Sequence, residues 1–129
     1  MIIGIGTDII DVQRIERVIE RNQSFIDKVF TSVEIAYCEA RASKAQSYAA
    51  RFAAKEAMMK ALGTGWGEGV CWQDIEVASE ASGKPRIMLS GKALERAKAL
   101  GAEHWHLSLS HEHAAAVAFV VLESGGTKS

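Results

Sequence analysis

The chain has 129 residues, of which 48% are hydrophobic and 24% charged, and its formal net charge at pH 7 is −1. This length and composition predict one globular domain over 1–129 and exclude a disordered or fibrous chain. A net charge close to zero excludes a nucleic-acid-binding protein that relies on bulk positive charge, because neutralising phosphates requires a surplus of lysine and arginine.

The apolar segments and the cysteines predict a cytoplasmic protein without a membrane anchor. The apolar N-terminus has no basic flank and is interrupted by Asp8, unlike a signal peptide. The longest apolar run, 114–122, is shorter than the roughly 20 residues that a membrane helix needs. Cys38 and Cys71 have no CxxC spacing, so we expect buried free thiols in a reducing compartment.

The chain opens with a predicted strand and a predicted helix. Residues 1–10 read as a strand in which glycines alternate with isoleucines, and glycines within a strand indicate that another group approaches the backbone closely. Asp11 can cap a helix that runs to about Arg21. The inner side of this helix is predicted to carry Ile15, Val18, Ile19 and Asn22.

Two further helices are predicted in the first half of the chain. Thr31 followed by Glu34 is a capping-box pattern that opens a helix through about Ala42. Residues 47–62 are dense in strong helix formers, and Gly63 supplies a stop. A glycine-rich loop follows.

The second half of the chain predicts mostly strands. His111-Glu112-His113 resembles a turn between two of them, which indicates an antiparallel pair. Strands that cluster after helices favour an α+β fold, with an antiparallel sheet packed against helices, over an alternating parallel one. We expect a frayed tail over about 125–129. The predicted elements are strands at 75–78, 86–89, 105–109 and 115–122 and a helix at 91–100.

Three charged side chains are candidates for cation and phosphate chemistry. Glu56 and Lys60 lie four residues apart on the strongest helix, so both project from one face; alone, they could be a surface ion pair. Asp8 stands at the end of a strand whose glycines leave room for a ligand, although it could simply cap a turn. Together, Asp8 and Glu56 would supply two hard oxygen donors, a partial ligand set with which Mg²⁺ binds beside substrate phosphates.

The loop Gly63-Thr64-Gly65 is a candidate phosphate site. Free backbone N–H groups in such a loop could cradle an anion. The loop lacks the spacing of a P-loop and follows a helix instead of preceding one, so a helix C-cap with a connector explains it equally well.

The histidines are candidate ligands of a different kind. His104 and His106 place both rings on one face of a strand, which raises a zinc site as an alternative to ordinary, satisfied polar groups. His111 follows Ser110 at the mouth of the predicted hairpin, and we expect it to contact a phosphate or carry a proton.

A basic stripe runs along the first helix. Arg14, Arg17 and Arg21 recur at i, i+3 and i+7, and Val18 and Phe25 lie near them. The stripe could be a solvated helix face. It also fits a dock for an acidic helix, where complementary charge speeds encounter and an apolar centre holds the partner.

Taken together, these segments resemble the holo-acyl-carrier-protein synthase family, the short, trimeric type of phosphopantetheinyl transferase. The resemblance rests on GIGTDII followed by Arg14-Ile15, on RFAAKEA and KALGTG, and on LSLSH; WQDIEV and GKP also fit, so that nearly the whole chain is covered. These segments occupy 4–10, 51–57, 60–65, 107–111, 72–77 and 83–85.

The resemblance implies an activity and an assembly. Such an enzyme moves 4′-phosphopantetheine from coenzyme A to a serine of apo-acyl carrier protein, releases adenosine 3′,5′-bisphosphate, requires Mg²⁺ and supports fatty acid biosynthesis. The family's active sites lie between the subunits of a homotrimer. After His111 this chain carries Glu112-His113, where relatives commonly have small polar residues, so contacts near the adenosine end are expected to differ.

The resemblance also assigns roles to residues. Asp8 and Glu56 would bind Mg²⁺ against the diphosphate of coenzyme A, and with Lys60 they form the predicted catalytic set. The proton acceptor stays open between Glu56, a water on the metal and a carboxylate of the carrier. Coenzyme A would contact Lys60, Gly63, Thr64, Gly65, Ser110 and His111, and the carrier would dock on Arg14, Val18, Arg21 and Phe25.

Two other functions use the same residues. A metal-dependent hydrolase of nucleotide pyrophosphates could employ the same carboxylates and loop, with water in place of the serine. A non-catalytic adaptor could bind an acidic helix through Arg14, Arg17 and Arg21, with Glu56 merely packed against Lys60.

Overall fold

A computed structural model describes residues 1–64 and 69–125. The predicted phosphate-loop residue Gly65 and the tail beyond Gly125 lie outside the described residues. The elements are β1 (Ile2–Asp11), α1 (Val12–Arg21), α2 (Ser24–Val29), α3 (Ser32–Glu39), α4 (Lys44–Leu62), a 3₁₀ turn (Trp72–Asp74), β2 (Ile75–Ser79), β3 (Pro85–Leu89), α5 (Gly91–Leu100), β4 (Ala102–His111) and β5 (Ala115–Ser124).

The described strands form two antiparallel sheets. The larger sheet has the order β1-β5-β4, and the smaller is the hairpin β2-β3. In the larger sheet Asp8 lies opposite Ala118, and Ser110 lies opposite Val117. The prediction of an α+β fold with an antiparallel sheet is confirmed, as is the late antiparallel pair.

Local capping signals set the starts of two helices. Asp11 caps α1 by accepting a hydrogen bond from the backbone N–H of Gln13 at 3.0 Å. Thr31 and Glu34 form the predicted capping box at the start of α3.

Within the described ranges, no helix is both long and apolar enough to cross a bilayer.

Three details of the helices differ from the sequence prediction. Helix α2 was not predicted, because six residues are too few to show a helical period and Gln23 provides no side-chain cap. Helix α3 ends at Glu39, earlier than the predicted Ala42. Asn22 is exposed as the C-cap of α1, and Val12 is buried beside Ile15 on the inner side.

Helix α4 packs directly against the backbone of β1. A Cβ atom on Gly6 would overlap the carbonyl oxygen of Ala57, and one on Gly4 would lie 2.5 Å from the carbonyl oxygen of Ala61. The predicted close approach to these glycines is confirmed. The approaching group is the helix backbone, so the interpretation that the glycines leave room for a ligand is wrong.

We expect Gly6→Ala to lower the free energy of unfolding by about 3 kcal/mol, because the added methyl group forces helix and strand apart. Urea denaturation measures the change. Thr7→Ala, at the next and exposed position of β1, is the matched control and should cost less than about 1 kcal/mol. Equal stability of Gly6→Ala and the unaltered chain would contradict the packing.

A fully buried ion pair joins α3 to α4 and binds the backbone of the 3₁₀ turn and β2. Lys55 Nζ lies 2.8 Å from Glu34 Oε1 and also donates to the backbone carbonyl oxygens of Trp72 and Ile75, at 3.1 and 2.5 Å. Glu34 Oε2 accepts the backbone N–H of Val77 at 2.8 Å. Burial lowers the pKa of Lys55, and the negative charge of Glu34 opposes that shift. The pair therefore fixes α3 and α4 against the 3₁₀ turn and β2.

The outer face of the larger sheet is apolar and exposed. Ile5, Ile9 and Phe119 expose 64%, 69% and 53% of their surface. Val117 and Val121 lie opposite Ile9 and Ile5 in the strand register, so these side chains form one continuous patch. A contiguous apolar patch of this kind marks an interaction surface.

The two cysteines lie in different environments. Cys38 is a buried free thiol, and burial raises its pKa to about 12. Cys71 is also free, but it is exposed just before the 3₁₀ turn, so the prediction of a buried thiol is wrong there.

Candidate functional site

A cavity of about 460 Å³ brings together side chains from β1, α1 and α4, along with Phe25 at α2. Three predicted catalytic residues and three of the four predicted docking residues share this cavity. Its polar and aromatic lining consists of Asp8, Arg14, Phe25, Phe52, Glu56 and Lys60, with Val18 among the aliphatic residues.

Backbone packing brings the two distant carboxylates to the same cavity. Side chains alternate along a strand, so Asp8 lies on the same inner face of β1 as Gly6. Gly6 contacts the helix backbone at Ala57, and Glu56 is the residue before it. The close seating of α4 on β1 therefore places Glu56 beside Asp8.

The two carboxylates repel each other. Burial raises the pKa of Glu56, and the negative charge of Asp8 raises it further. The positive charges of Lys60 and Arg14 partly oppose this rise. An added cation between the carboxylates would relieve the repulsion.

Lys60 forms an ion pair with one of the two carboxylate oxygens of Asp8. Lys60 Nζ lies 2.9 Å from Asp8 Oδ1 and donates to the backbone carbonyl of Thr7 at 3.0 Å. Asp8 Oδ2 is buried and has no hydrogen-bond partner among the described residues. The i, i+4 spacing allowed a surface ion pair between Glu56 and Lys60 as an alternative, whereas the observed ion pair joins Lys60 to Asp8.

These residues fit a magnesium ion. Carboxylate oxygens are the donors that Mg²⁺ prefers, and the unpartnered Oδ2 of Asp8 is a donor with unused capacity. Over 1–64 and 69–125, no cluster of three or more His, Cys, Asp and Glu side chains is placed to hold a metal. A Mg²⁺ ion held by the two carboxylates would therefore complete its coordination with water and substrate phosphates, which is its usual behaviour.

The end of α4 carries part of the predicted phosphate loop. Gly63 adopts a left-handed conformation with φ of 71° and caps the helix. Its N–H donates to the carbonyl of Lys60, and the N–H of Thr64 donates to the carbonyl of Met59, both at 3.1 Å. The expectation of free N–H groups is therefore wrong for Gly63 and Thr64, because the helix cap uses them.

Arg96 is a residue at this helix end that the sequence analysis missed. It extends from α5, and its Nε donates to the carbonyl of Leu62 at 2.9 Å. A Cβ atom on Gly63 would lie 3.5 Å from its Nη2, so the guanidinium stands beside the start of the loop. No local pattern reveals this, because the two partners are 34 positions apart in the chain.

Ser110 and His111 lie at the end of β4, outside the cavity of Asp8 and Glu56. They line a second cavity of about 310 Å³ together with Ile9. Ile9 also lines the first cavity, so the two are adjacent at that side chain.

A third cavity, of about 380 Å³, is lined by Tyr37, Arg41, Arg51 and His111. The guanidinium carbons of Arg51 and Arg41 lie 3.7 and 4.9 Å from the ring centroid of Tyr37. Arg51 is buried, and its Nε has no hydrogen-bond partner among the described residues. Two guanidinium groups beside a cavity can bind an anion. The signal that sequence reasoning overlooked is an arginine within an alanine-rich helix face.

The remaining histidines and the basic stripe also have defined positions. His104 is exposed, and the Nε2 atom of the exposed His106 lies 3.0 Å from Glu123 Oε1. Arg17 and Arg21 are exposed on α1 and are absent from the lining of the first cavity. Of the predicted docking residues, Arg14, Val18 and Phe25 therefore line the first cavity, whereas Arg21 lies outside its lining, at the end of α1.

Comparisons with known proteins agree on one family. The family model described as the 4′-phosphopantetheinyl transferase superfamily matches residues 4–119. A holo-(acyl-carrier-protein) synthase of Solibacter usitatus (strain Ellin6076) is 51% identical over 125 residues, covering 96% of this chain and 100% of that relative. The crystal structure of the Neisseria meningitidis synthase matches with a TM-score of 0.86 and 37% identity, covering 96% of this chain and 100% of that one. The Bacillus anthracis synthase, solved in complex with CoA (3′,5′-ADP), matches with a TM-score of 0.80 and 39% identity, covering 97% and 99%.

Proposed function

This chain belongs to the 4′-phosphopantetheinyl transferase superfamily, and we propose that it acts as a holo-acyl-carrier-protein synthase. It transfers the 4′-phosphopantetheine group of coenzyme A to a serine of apo-acyl carrier protein and so supports fatty acid biosynthesis. The observation that carries this function is the cavity shared by Asp8, Glu56 and Lys60 in a chain of this family. We further propose that residues 1–129 form one domain and that the enzyme works in the cytoplasm.

We propose that Asp8 and Glu56 hold Mg²⁺ in the first cavity. The unpartnered Asp8 Oδ2 and the repulsion between the two carboxylates support this role. When bound, the ion would neutralise charge on the diphosphate of coenzyme A.

The remaining chemistry is a phosphoryl transfer in which the protein mainly positions groups. The carrier serine oxygen bonds to the pantetheine-side phosphorus, and the bond to the bridging oxygen breaks, which releases adenosine 3′,5′-bisphosphate. The Lys60 ammonium stabilises the departing phosphate, because it is a compact charge on a flexible, exposed stem. The serine proton passes to a carboxylate, either Glu56 or one that the carrier brings.

Coenzyme A is proposed to extend from the first cavity across the other two. Its diphosphate would lie near Lys60, Gly63 and Thr64, where Arg96 adds positive charge. Its adenosine end would reach Ser110 and His111 and the cavity of Arg41 and Arg51. The cavities are adjacent through Ile9 and His111, and the guanidinium groups match the additional phosphate of this end.

The acyl carrier protein is proposed to dock on α1 and Phe25. Arg14, Val18 and Phe25 line the first cavity, which a carrier serine would have to enter. Arg14 also acts electrostatically on Glu56, so Arg21 is the cleaner residue with which to test docking.

Arg21→Glu is expected to raise the KM for apo-carrier about five- to tenfold, because a complementary charge becomes a repelling one. The KM for coenzyme A should not change, and the effect should shrink in high salt. Steady-state kinetics at two ionic strengths measure both quantities. Lys98→Glu, on the exposed side of α5, is the matched charge reversal and should leave both KM values unchanged. A carrier KM independent of salt would contradict the proposed dock.

A homotrimer is proposed to cover the outer face of the larger sheet. The contiguous exposed side chains of Ile5, Ile9 and Phe119 support this assignment, because such a patch favours burial against another copy. Ile9 also borders the first two cavities, so a neighbouring copy on this face would stand next to the active site.

Phe119→Asp is expected to reduce the particle from trimer to monomer, because it inserts a charge at the centre of the apolar patch. Sedimentation velocity measures the change. Val33→Asp is the matched control, since Val33 has the same 53% exposure as Phe119 but lies on α3. If the Phe119→Asp protein has the same sedimentation coefficient as the unaltered protein, the trimer contact does not lie on this face.

Mass spectrometry of the carrier tests the function directly. Apo-carrier, coenzyme A, Mg²⁺ and the enzyme are incubated together, with a chelator control. We expect the carrier to gain one phosphopantetheine group only when Mg²⁺ is available. Cleavage of coenzyme A with an unmodified carrier would indicate a pyrophosphate hydrolase, and no reaction of either substrate would indicate an adaptor.

A further inference from the structure

Lys60 and the proposed metal ion would bind the same carboxylate, that of Asp8. Its ammonium is bound to Asp8 Oδ1 at 2.9 Å and to the carbonyl oxygen of Thr7 at 3.0 Å. Asp8 is also one of the two carboxylates that fit a divalent cation. The same carboxylate therefore serves a lysine and the proposed metal ion.

The two members of this ion pair differ in freedom to move. The Asp8 side chain is 13% exposed and belongs to a paired strand, whereas the Lys60 side chain is 55% exposed and lines the cavity. A lysine ammonium on a four-carbon stem can change partners by rotation of its side chain. Lys60 can thus leave Asp8 without disturbing the fold.

Without a second anion in the cavity, the charges oppose both binding of a divalent cation at Asp8 and departure of Lys60 from Asp8. A divalent cation held by Asp8 and Glu56 is repelled by an ammonium that shares one of these carboxylates. An ammonium that leaves Asp8 loses an ion pair in a partly desolvated site. A diphosphate in the cavity would remove both penalties, because it offers Lys60 a new anionic partner.

We propose that Lys60 couples the two ligands of the site: it opposes the divalent cation while it is paired with Asp8, and the diphosphate of coenzyme A relieves this opposition by accepting the ammonium. The inference rests on the proposed metal site and goes beyond it, because it concerns the order and strength of binding. Linkage requires the effect to be reciprocal, so the cation strengthens coenzyme A binding by the same factor.

The test measures binding of Mn²⁺, a spectroscopic substitute for Mg²⁺, with and without coenzyme A. Lys60→Met keeps the aliphatic stem and removes the charge. We expect this variant to bind Mn²⁺ alone at least about fivefold more tightly than the unaltered protein, and the enhancement by coenzyme A to fall by a similar factor. Electron paramagnetic resonance of free Mn²⁺ gives both affinities without turnover, after the Mn²⁺ that coenzyme A binds in a protein-free titration is subtracted.

Three further variants make the outcome decisive. Lys60→Arg retains the charge and should keep the enhancement, and Lys98→Met, on the exposed side of α5, should behave as the unaltered protein. The coupling is overturned if Lys60→Met, without coenzyme A, binds Mn²⁺ no more tightly than the unaltered protein does. It is also overturned if this variant shows no measurable Mn²⁺ binding. Failure of the metal site itself has a different signature: Asp8→Asn would then bind Mn²⁺ as well as the unaltered protein does.

Discussion

Glu56→Gln is expected to reduce transfer of phosphopantetheine about a thousandfold, which corresponds to about 4 kcal/mol of transition-state stabilisation. The substitution removes a negatively charged donor with almost no change in volume. It leaves Asp8 as the one carboxylate among the described residues that line the first cavity. The initial rate of holo-carrier formation, followed by mass spectrometry, measures the loss.

Two controls separate a lost donor from a damaged fold. Glu95→Gln makes the same chemical change on the exposed side of α5 and should keep the full rate. The melting temperature of Glu56→Gln should stay at or above that of the unaltered chain, because burial and Asp8 disfavour the charged form of Glu56. A near-normal rate of transfer in Glu56→Gln would contradict the proposed metal site.

Lys55→Met is expected to lower the free energy of unfolding by about 3–5 kcal/mol, because it leaves the fully buried Glu34 carboxylate without its counterion. The backbone carbonyls of Trp72 and Ile75 lose a donor as well. Urea denaturation measures the change, and the m-value shows whether unfolding stays two-state.

The second partner gives the matched control. Glu34→Gln in the Lys55→Met background keeps an oxygen that can accept a hydrogen bond and removes the unpaired charge. The double variant should therefore be more stable than Lys55→Met alone. A loss below about 1 kcal/mol in Lys55→Met would show that the pair contributes little to the folded state.

Features encoded within a few residues could be predicted from the sequence. The capping box of Thr31 and Glu34 and the glycine stop at Gly63 depend on neighbours three or four positions away, and both form as predicted. The alternating late strands also pair as predicted. These signals fix where elements begin, but not which side of them is buried.

Features that depend on tertiary contacts could not be predicted from the residues alone. In β1 the buried face carries Gly6 and the isoleucines Ile5 and Ile9 face outward, which reverses the usual preference of these residue types. Glu34 was recognised only as a capping residue, yet it also binds Lys55 and Val77. Both arrangements follow from how α4 lies on the sheet.

The candidate site shows the same division. Glu56 and Lys60 share a helix face by their spacing, and this was visible from the sequence. The pairing of Asp8 with Glu56 was proposed from the chemistry of the two carboxylates and from the family resemblance, because no sequence pattern joins residues that are 52 positions apart, as Asp8 and Lys60 are. Arg96 was missed because its partner Leu62 is 34 positions away, whereas the signal of Arg51, a single arginine in an alanine-rich helix, was local and was overlooked.

The seating of α4 on the glycines of β1 limits how the site could be redesigned. Main chain touches main chain at Gly6 and Gly4, so the distance between the two carboxylate-bearing segments is already close to its minimum. The two carboxylates cannot be brought closer by shortening a side chain at this contact, because the contact is made by backbone atoms. Moving them apart for a larger ion such as Ca²⁺ would require a methyl group at Gly4 or Gly6, and the protein would lose stability.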